Sequence, residues 1–418
     1  MLYSELPPDY KNTFNRYIFL FKCIGIEFFD KPCGSTKMNI RLILFILTFF
    51  PFVFGQFSLM AKIRADNFLE SVRVVPVDIM FVLNIVKLLI AVLSRSDIRD
   101  LFLEVGELWP KGLKDNDQKS VILKAWLRRI KIPLDLFFIF AMANLSLFEV
   151  IPFIISCFNL SQGVEEYLFP FQPTDFWDVN SFSSFLITYV WEMVGSTPCQ
   201  MCLYLPFDLL IVTMTSNVSA LLRLLQVDLI NAIQIHDVDN MVLKKNIYNL
   251  DTDGYKKVKA IVEIHQKLLR IADQLSNIFG LVIFIHVAFA ALEICFFGFL
   301  TVVNGGLAET IANLLTVLNS VFTIFLLSLS GQFLCDTSSE VADAAYQSFW
   351  YESDTKVKKL ILFIIIRAQR PSYLSALGFS ELTLSSFSKV RFYMKLVQHI
   401  YDDNFTCCVI SQFHLLIY

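Results

Sequence analysis

Seven ionisable side chains lie inside long apolar stretches of the sequence. In such a stretch a charged side chain is either paired in the packed interior or faces a water-filled cavity. They are Lys87, Asp135, Glu149, Glu192, Asp208, His286 and Glu293. Charges at such positions are costly and rarely face lipid. His286 and Glu293 are seven residues apart, so both lie on one face of a helix. For this pair the sequence leaves ligand tuning and helix packing open, and it favours packing.

Four of the other charges lie close to the ends of their apolar stretches. Lys87 and Asp135 lie toward the ends that flanking basic residues mark as cytoplasmic, where their side chains can extend to the membrane surface. Glu149 and Glu192 lie near the outer ends, either at the entrance to a binding site or beside lipid headgroups. We expect a structural role for both glutamates.

Two of the nine cysteines, Cys199 and Cys202, form a C-x-x-C motif. Thiols at this spacing bind zinc or exchange disulfides when a second pair or histidines complete the site. Here the motif lies in an apolar run without such residues nearby in the sequence. We therefore predict apolar packing for the motif and no metal or redox chemistry.

The amino-acid composition indicates whether the protein lies in water or in a membrane. Of the 418 residues, 56% are hydrophobic and 17% are charged, and the mean hydropathy is +0.58. Soluble domains carry about 25% charged residues. The chain is therefore predicted to be an all-α polytopic membrane protein, and its net charge of -3 gives no field that would attract nucleic acid.

Seven segments approach the roughly 20 apolar residues that cross a bilayer core as a helix. The predicted spans are 42–60, 74–93, 132–155, 185–214, 278–303, 312–334 and 371–400. The last is the least regular, because basic residues interrupt its second half.

The distribution of lysine and arginine predicts the orientation. Basic residues concentrate in 1–41, 94–131, 216–275 and 337–370, whereas 156–184 and 304–311 contain none. Since basic loops stay in the cytoplasm, the amino terminus is predicted to be cytoplasmic and the carboxyl terminus extracellular. Receptors that couple to G proteins have the opposite orientation, which makes that class a weaker alternative.

Two helices are predicted outside the bilayer, on the cytoplasmic side. From Val258 onward, Ile261, Ile264, Leu268 and Ile271 recur at helical spacing, so an amphipathic helix is expected to continue into the fifth span. A second cytoplasmic helix is predicted at 341–351. Their apolar faces need partners, which a packed intracellular collar would supply.

The segment 331–389 resembles the carboxyl-terminal signature of insect odorant receptors. Matching positions are Ala345, Tyr346 and Trp350 after the sixth span, Arg367, Gln369 and Pro371 in "RAQRP", and Gly378, Leu384 and Phe387 at the start of the seventh. The helix that carries His265 is similar to the one that precedes the family's fifth span. The resemblance divides the chain into a receptor domain, 1–389, and an atypical tail, 390–418.

The resemblance implies an odorant-gated, non-selective cation channel in the plasma membrane of sensory neuron dendrites, with no enzymatic activity and no cofactor. A ligand-tuned subunit of this kind assembles with a shared co-receptor subunit into a hetero-tetramer. The anchor that joins the subunits would contain His265, Tyr346, Trp350, Arg367, Gln369 and Pro371. The pore helix would contain Gly378, Leu384 and Phe387.

The resemblance also implies a pocket in the outer half of the membrane for a small volatile odorant or pheromone. Such a site is an apolar, partly aromatic cavity with few polar groups. The candidates at that depth are Ile79, Leu83, Phe148, Tyr189, Met193, Phe296, Leu318 and Phe322. For each of them, packing against a helix or against lipid is the alternative.

Two further classes share parts of this pattern. A gustatory receptor would show a "TYhhhhhQF" pattern in its last helix, where this chain has "SSFSKVRFY". A transporter would show inverted repeats and interrupted helix pairs, and neither is evident in the sequence. Both remain alternatives to the odorant receptor.

The tail departs abruptly from the family pattern after Lys389. Arg391, Lys395 and His399 are spaced by four, so they would charge one face of the seventh helix. Lys389, Val390 and Arg391 can be encoded by a sequence that resembles a 5′ splice donor. Our hypothesis is that the tail is translated intron, and we expect transcripts to carry a different, apolar ending. Transcripts that all encode the tail shown here would refute it.

Overall fold

The structure is a computed structural model that describes residues 3–29, 39–62, 68–112, 117–164, 166–171, 179, 181–233, 247–303 and 306–388. Within these ranges the chain is almost entirely helical. The α-helices are α1 (Pro8–Cys23), α2 (Ile40–Lys62), α3 (Phe68–Leu93), α4 (Arg95–Leu108), α5 (Gln118–Ser161), α6 (Phe182–Cys199), α7 (Leu205–Ile230), α8 (Ile247–Val303), α9 (Leu307–Gln347) and α10 (Thr355–Ala368).

Shorter elements connect these helices. Two 3-10 turns span Tyr3–Glu5 and Trp350–Glu352, and a π-helical turn, Gln200–Tyr204, joins α6 to α7. A two-residue hairpin follows α10, in which β1 (Ser375–Ala376) pairs antiparallel with β2 (Ser380–Glu381).

Six helical segments of the described chain are long and apolar enough to cross a membrane. They are Ile40–Lys62, Val72–Leu93, Gln118–Ser161, Phe182–Ile230, Gly254–Thr301 and Thr310–Gln347. Each contains most or all of one of the first six predicted spans, which confirms a polytopic all-α membrane protein. Several are longer than predicted because hydropathy marks the apolar part of a helix, whereas its hydrogen bonding continues into polar sequence.

Helix α7 lies at the centre of the bundle. Nearly all of its residues from Leu205 to Leu229 are buried, and it packs against α9, α8, α5 and α1. A helix that is apolar on every side belongs in a core. Helices α1, α5, α8 and α9 therefore surround α7.

Helices α1 and α4 were not predicted and pack on the same side of this core. The Tyr10 hydroxyl of α1 donates to the carbonyl of Phe102 in α4 at 3.0 Å. The rings of Phe14 and Phe102 meet edge to face with their centroids 4.5 Å apart. The predicted amino-terminal segment 1–41 thus contributes a packed helix, α1, to the bundle.

The two helices predicted on the cytoplasmic side agree with the structure only in part. The predicted amphipathic helix before the fifth span is confirmed, because α8 is continuous and buries Ile261, Leu268 and Ile271. The predicted separate helix at 341–351 is wrong, since α9 continues to Gln347 and only a 3-10 turn follows. The amphipathic helix α10 was missed.

The predicted span 371–400 is wrong in its first part. Residues 371–383 are extended and form the hairpin, and helix resumes only at 384–388. Leu377 and Gly378 have φ of 53° and 80°, a left-handed conformation that an α-helix excludes. Residues 389–418, with the whole atypical tail, lie outside the described residues.

The segment that contains the hairpin is held against α8 by hydrogen bonds between its backbone and a serine side chain, and it packs closely against α9. The Ser276 hydroxyl donates to the Tyr373 carbonyl at 3.0 Å and accepts from the Ser375 amide at 3.2 Å. The Leu382 carbonyl lies so close to α9 that a Cβ on Gly331 would be 2.2 Å from its oxygen. Only glycine permits this approach.

We therefore expect Gly331→Ala to displace the segment 371–388 and to destabilise the protein by about 1–3 kcal/mol, as overpacking does. Thermal unfolding of the purified protein in detergent would measure the change. Gly298→Ala is the control, because a Cβ at Gly298 meets nothing within 4 Å. Equal melting temperatures of the two variants would contradict the close approach.

Candidate functional site

A cavity of about 100 Å³ lies between α3, α5, α8, α9 and the π-helical turn. One water needs about 10–15 Å³ by the same measure, so the space exceeds that of a single water several-fold. Its apolar lining includes Met80, Ala141, Leu145, Phe148, Phe171 and Phe297. Its polar lining includes Asn144, Gln200, Tyr204, Glu293, Thr316, Asn319 and Ser320.

The π-helical turn brings two polar residues to this cavity. Gln200 and Tyr204, its first and last residues, both line the space. Pro206, the second residue of α7, has no amide hydrogen to continue a regular α-helical ladder. Such π-bulges are rare and often lie at functional sites. Gln200 is oriented by Met80 of α3, whose Sδ is 3.3 Å from the Gln200 Nε2.

Glu293 places a carboxyl group in the wall of the cavity. Its side chain is 5% exposed, and the Ser320 hydroxyl of α9 donates to its Oε2 at 3.0 Å. The Oε1 atom is buried and has no hydrogen-bond partner among the described residues. Glu293 therefore lines the cavity, and its role in ligand tuning or in packing stays a prediction.

A buried charge cluster lies directly beside the cavity, and we call Lys87, Tyr204, Asp208 and His286 the Lys87 cluster. The Lys87 ammonium is 2.8 Å from Asp208 Oδ2, 3.3 Å from the Tyr204 carbonyl oxygen and 3.8 Å from the centroid of the Tyr204 ring. Asp208 Oδ1 is 3.1 Å from His286 Nδ1. The cluster joins α3, α7 and α8, and Tyr204 belongs to both the cluster and the cavity.

The predicted extension of Lys87 to the membrane surface is therefore wrong. Lys87 is fully buried, at 0% exposure, because an opposite charge, a carbonyl and an aromatic face replace its hydration. Asp135 fits its prediction better. It forms a 2.9 Å ion pair with Arg16 of α1, and both side chains are partly exposed.

Glu149 and Glu192 lie inside the bundle rather than beside headgroups. Thr197 donates to Glu149 Oε1 at 2.6 Å, which ties α6 to α5. The amide of Phe171 donates to Glu192 Oε2 at 3.4 Å. Because the Phe171 ring lines the cavity, Glu192 helps to hold one wall of it.

The predicted ligand-binding residues are spread over several environments. Phe148 lines the cavity, and the other seven do not. Leu83 is part of the central core, while Ile79 and Phe296 pack together in a smaller cluster beside α8. The Tyr189 hydroxyl donates to the Glu149 carbonyl. Met193 is half-buried on α6, and Leu318 and Phe322 are exposed on α9.

Several cavity residues were not predicted from the sequence. They include Met80, Gln200, Tyr204, Asn319 and Ser320. The signal for the π-helical turn was present as Pro198 and Pro206 on either side of it. Asn319 and Ser320 are neighbouring polar residues within an apolar span, which is the same kind of signal that singled out Glu293.

The predicted anchor residues lie where α8, α9 and α10 meet. His265 is buried and lines a groove between α8 and α10 together with Arg367. The Arg367 side chain donates to the Arg370 carbonyl at 2.7 Å, and Gln369 caps α10. Tyr346 is exposed near Trp350, with ring centroids 6.5 Å apart. Pro371 follows α10 and begins the extended segment.

The predicted pore residues occupy the segment after α10. Gly378 lies in the hairpin turn. The Leu384 amide donates to Gln332 Oε1 at 3.2 Å, and the Phe387 ring lies 5.5 Å from that of Phe325. Both contacts hold this segment against α9.

The C-x-x-C cysteines lie at the π-helical turn as free thiols, Cys199 buried and Cys202 half-buried. In the part of the chain that the structure describes, no group of three His, Cys, Asp or Glu side chains could hold a metal ion.

An apolar cavity with a few polar groups between the helices of a membrane bundle is typical of small-molecule-binding membrane proteins. Residues 67–394 match the family described as 7tm Odorant receptor. The chain belongs to this odorant receptor family, which confirms the resemblance found in the sequence. Because this is a family of receptors, membership also confirms that the chain is not an enzyme.

Relatives and solved structures agree with this assignment. The chain is 22% identical to Odorant receptor 85c of Drosophila melanogaster over 89% of this chain and 93% of that protein. It is 24% identical to Odorant receptor 67a of the same species over 88% and 89%. The olfactory receptor OR5 from Machilis hrabei has the same fold, with a TM-score of 0.78 at 14% identity, covering 95% of this chain and all of that one. Its complex with eugenol gives a TM-score of 0.75 at 15% identity, covering 93% and 98%.

The Lys87 cluster predicts a specific response to substitution. Lys87→Met leaves the Asp208 carboxylate buried without its cation, and we expect a loss of about 3–5 kcal/mol of stability. The double variant Lys87→Met/Asp208→Asn should recover much of this loss, since no unpaired charge remains. Thermal unfolding in detergent would measure both.

Lys356→Met is the matched control, because Lys356 is exposed at the start of α10. A Lys87→Met protein as stable as this control would show that the ion pair contributes little to folding.

Proposed function

We propose that this chain is the ligand-tuned subunit of an odorant-gated cation channel. It binds a small volatile molecule in the cavity between α3, α5, α8 and α9. It gates the channel together with a co-receptor subunit, in a hetero-tetramer at the plasma membrane of a sensory neuron dendrite.

The observation that carries this proposal is the cavity itself. It lies inside the helical bundle, and aromatic and aliphatic side chains dominate its lining. This chemistry suits small apolar molecules, whose affinity comes mainly from apolar area and whose orientation comes from a few polar groups. The eugenol complex of the Machilis hrabei receptor, which shares the fold, supports the same assignment.

The direct ligand contacts that we propose are Met80, Phe148, Tyr204 and Phe297, because these side chains line the cavity from four elements. Ile79 and Phe296 pack in a cluster that also holds Phe297, so they act by supporting that wall. The remaining predicted ligand residues lie further from the cavity, and their roles stay predictions. They are Leu83, Tyr189, Met193, Leu318 and Phe322.

Assembly with the co-receptor is supported by the exposed face of α10. Leu362, Phe363 and Ile366 are 54%, 66% and 53% exposed, although α10 buries its opposite face against α8 and α9. Large apolar side chains that remain uncovered on one face are typical of an interaction surface. We assign this face, with the groove that holds His265 and Arg367, to the subunit interface.

Expression in a heterologous cell, alone and with the co-receptor, tests the channel proposal. We expect odorant-evoked cation currents only from the pair. In that pair, Phe148→Ala should raise the half-maximal odorant concentration about ten- to a hundredfold, since it removes about 1.5–3 kcal/mol of apolar contact.

Phe158→Ala is the matched control, because Phe158 lies on the same helix with 63% of its surface exposed. Its half-maximal concentration should equal that of the wild type. A robust current from this chain alone would contradict the subunit role, and equal effects of the two alanine substitutions would contradict the cavity as the binding site.

A further inference from the structure

Two residues of the cavity wall each carry a buried hydrogen-bond acceptor that no described residue satisfies. One is Glu293 Oε1, on a side chain that is 95% buried, as its 5% exposure shows. The other is Asn319 Oδ1, which is likewise buried and without a partner in the described chain. Both residues line the cavity. A buried acceptor without a donor is unfavourable, so this wall favours a ligand that supplies one.

Donors in the adjoining wall are already engaged. The Ser320 hydroxyl donates to Glu293 Oε2 at 3.0 Å, and the Thr316 hydroxyl donates to the Ala312 carbonyl at 3.0 Å. The Gln200 amide is directed at the Met80 sulfur, 3.3 Å away. None of these three groups reaches Glu293 Oε1, and no other described residue donates to it.

We infer that the cavity selects small, neutral, largely apolar molecules that carry a hydroxyl group, and that this hydroxyl donates a hydrogen bond to Glu293 Oε1. Asn319 Oδ1 lies in the same wall as a second acceptor. The rest of the lining is apolar and takes the hydrocarbon part of the ligand. This inference rests on the proposed function, because it names the ligand class of that same cavity.

Matched pairs of odorants test the inference directly. Straight-chain alcohols of about six to eight carbons and 2-phenylethanol are compared with aldehydes of the same carbon skeleton, on cells that express this chain with the co-receptor. An aldehyde has nearly the same shape but no donor. One net hydrogen bond contributes about 0.5–1.5 kcal/mol, so we expect the alcohol to act at a concentration about two- to tenfold lower.

Two substitutions assign the preference to one atom. Glu293→Met keeps the length of the side chain and removes the acceptor, so the gap between alcohol and aldehyde should close. Glu263→Met is the matched control, because Glu263 is a glutamate on the same helix whose side chain is 65% exposed, and the gap should remain. Surface labelling of each variant shows that it reaches the membrane. If Glu293→Met does not reach the membrane, the comparison of alcohols with aldehydes in the wild-type receptor still tests the inference.

The outcomes separate this inference from the proposed function. Aldehydes that match or exceed their alcohols in the wild-type receptor would overturn the inference alone. An undiminished gap in surface-expressed Glu293→Met would do the same. Failure of every odorant to evoke a current, with both subunits at the surface, would overturn the proposed function and the inference with it.

Discussion

The ion pair between Lys87 and Asp208 is the constraint on which the interior of this receptor depends. Asp208 lies on α7, which is buried on nearly every side, so its carboxylate has no route to water. Lys87 from α3 and His286 from α8 approach its two oxygens separately. Separating such a pair leaves an uncompensated charge in the interior. The three helices are therefore held at fixed positions around the point where the cavity begins.

The π-helical turn connects the cavity to the Lys87 cluster through a shared residue, Tyr204. Tyr204 ends this turn and lines the cavity, while its carbonyl oxygen and its ring both contact the Lys87 ammonium. A ligand that displaces Tyr204 must therefore change the surroundings of a buried charge. Small displacements of these side chains cost free energy, because the buried polar network is tightly packed and lies in a low dielectric.

Hydropathy predicted the six long spans because an apolar run of bilayer length is a local property of the sequence. It failed at 371–383, where the left-handed pair Leu377 and Gly378 turns the chain into a hairpin. The pairing of Lys87 was also beyond local reasoning, since Asp208 is 121 residues away in the sequence. The sequence predicts how deep a residue lies in the membrane. It does not predict towards which neighbour its side chain points from the helix.

That limit explains why Phe148 was found and Tyr204 was missed. Both have aromatic rings, but the orientation of Tyr204 is set by the extra residue of the π-helical turn, which no helical periodicity shows. Polar residues within apolar spans predicted the position of the cavity better than apolar residues did. Glu293 stood out in the sequence as a carboxyl group in an apolar span, and a buried carboxyl group needs partners. Its one described partner, Ser320, satisfies one of its two oxygens. Apolar contacts fill any cavity of suitable size, whereas an unsatisfied oxygen distinguishes one ligand class from another.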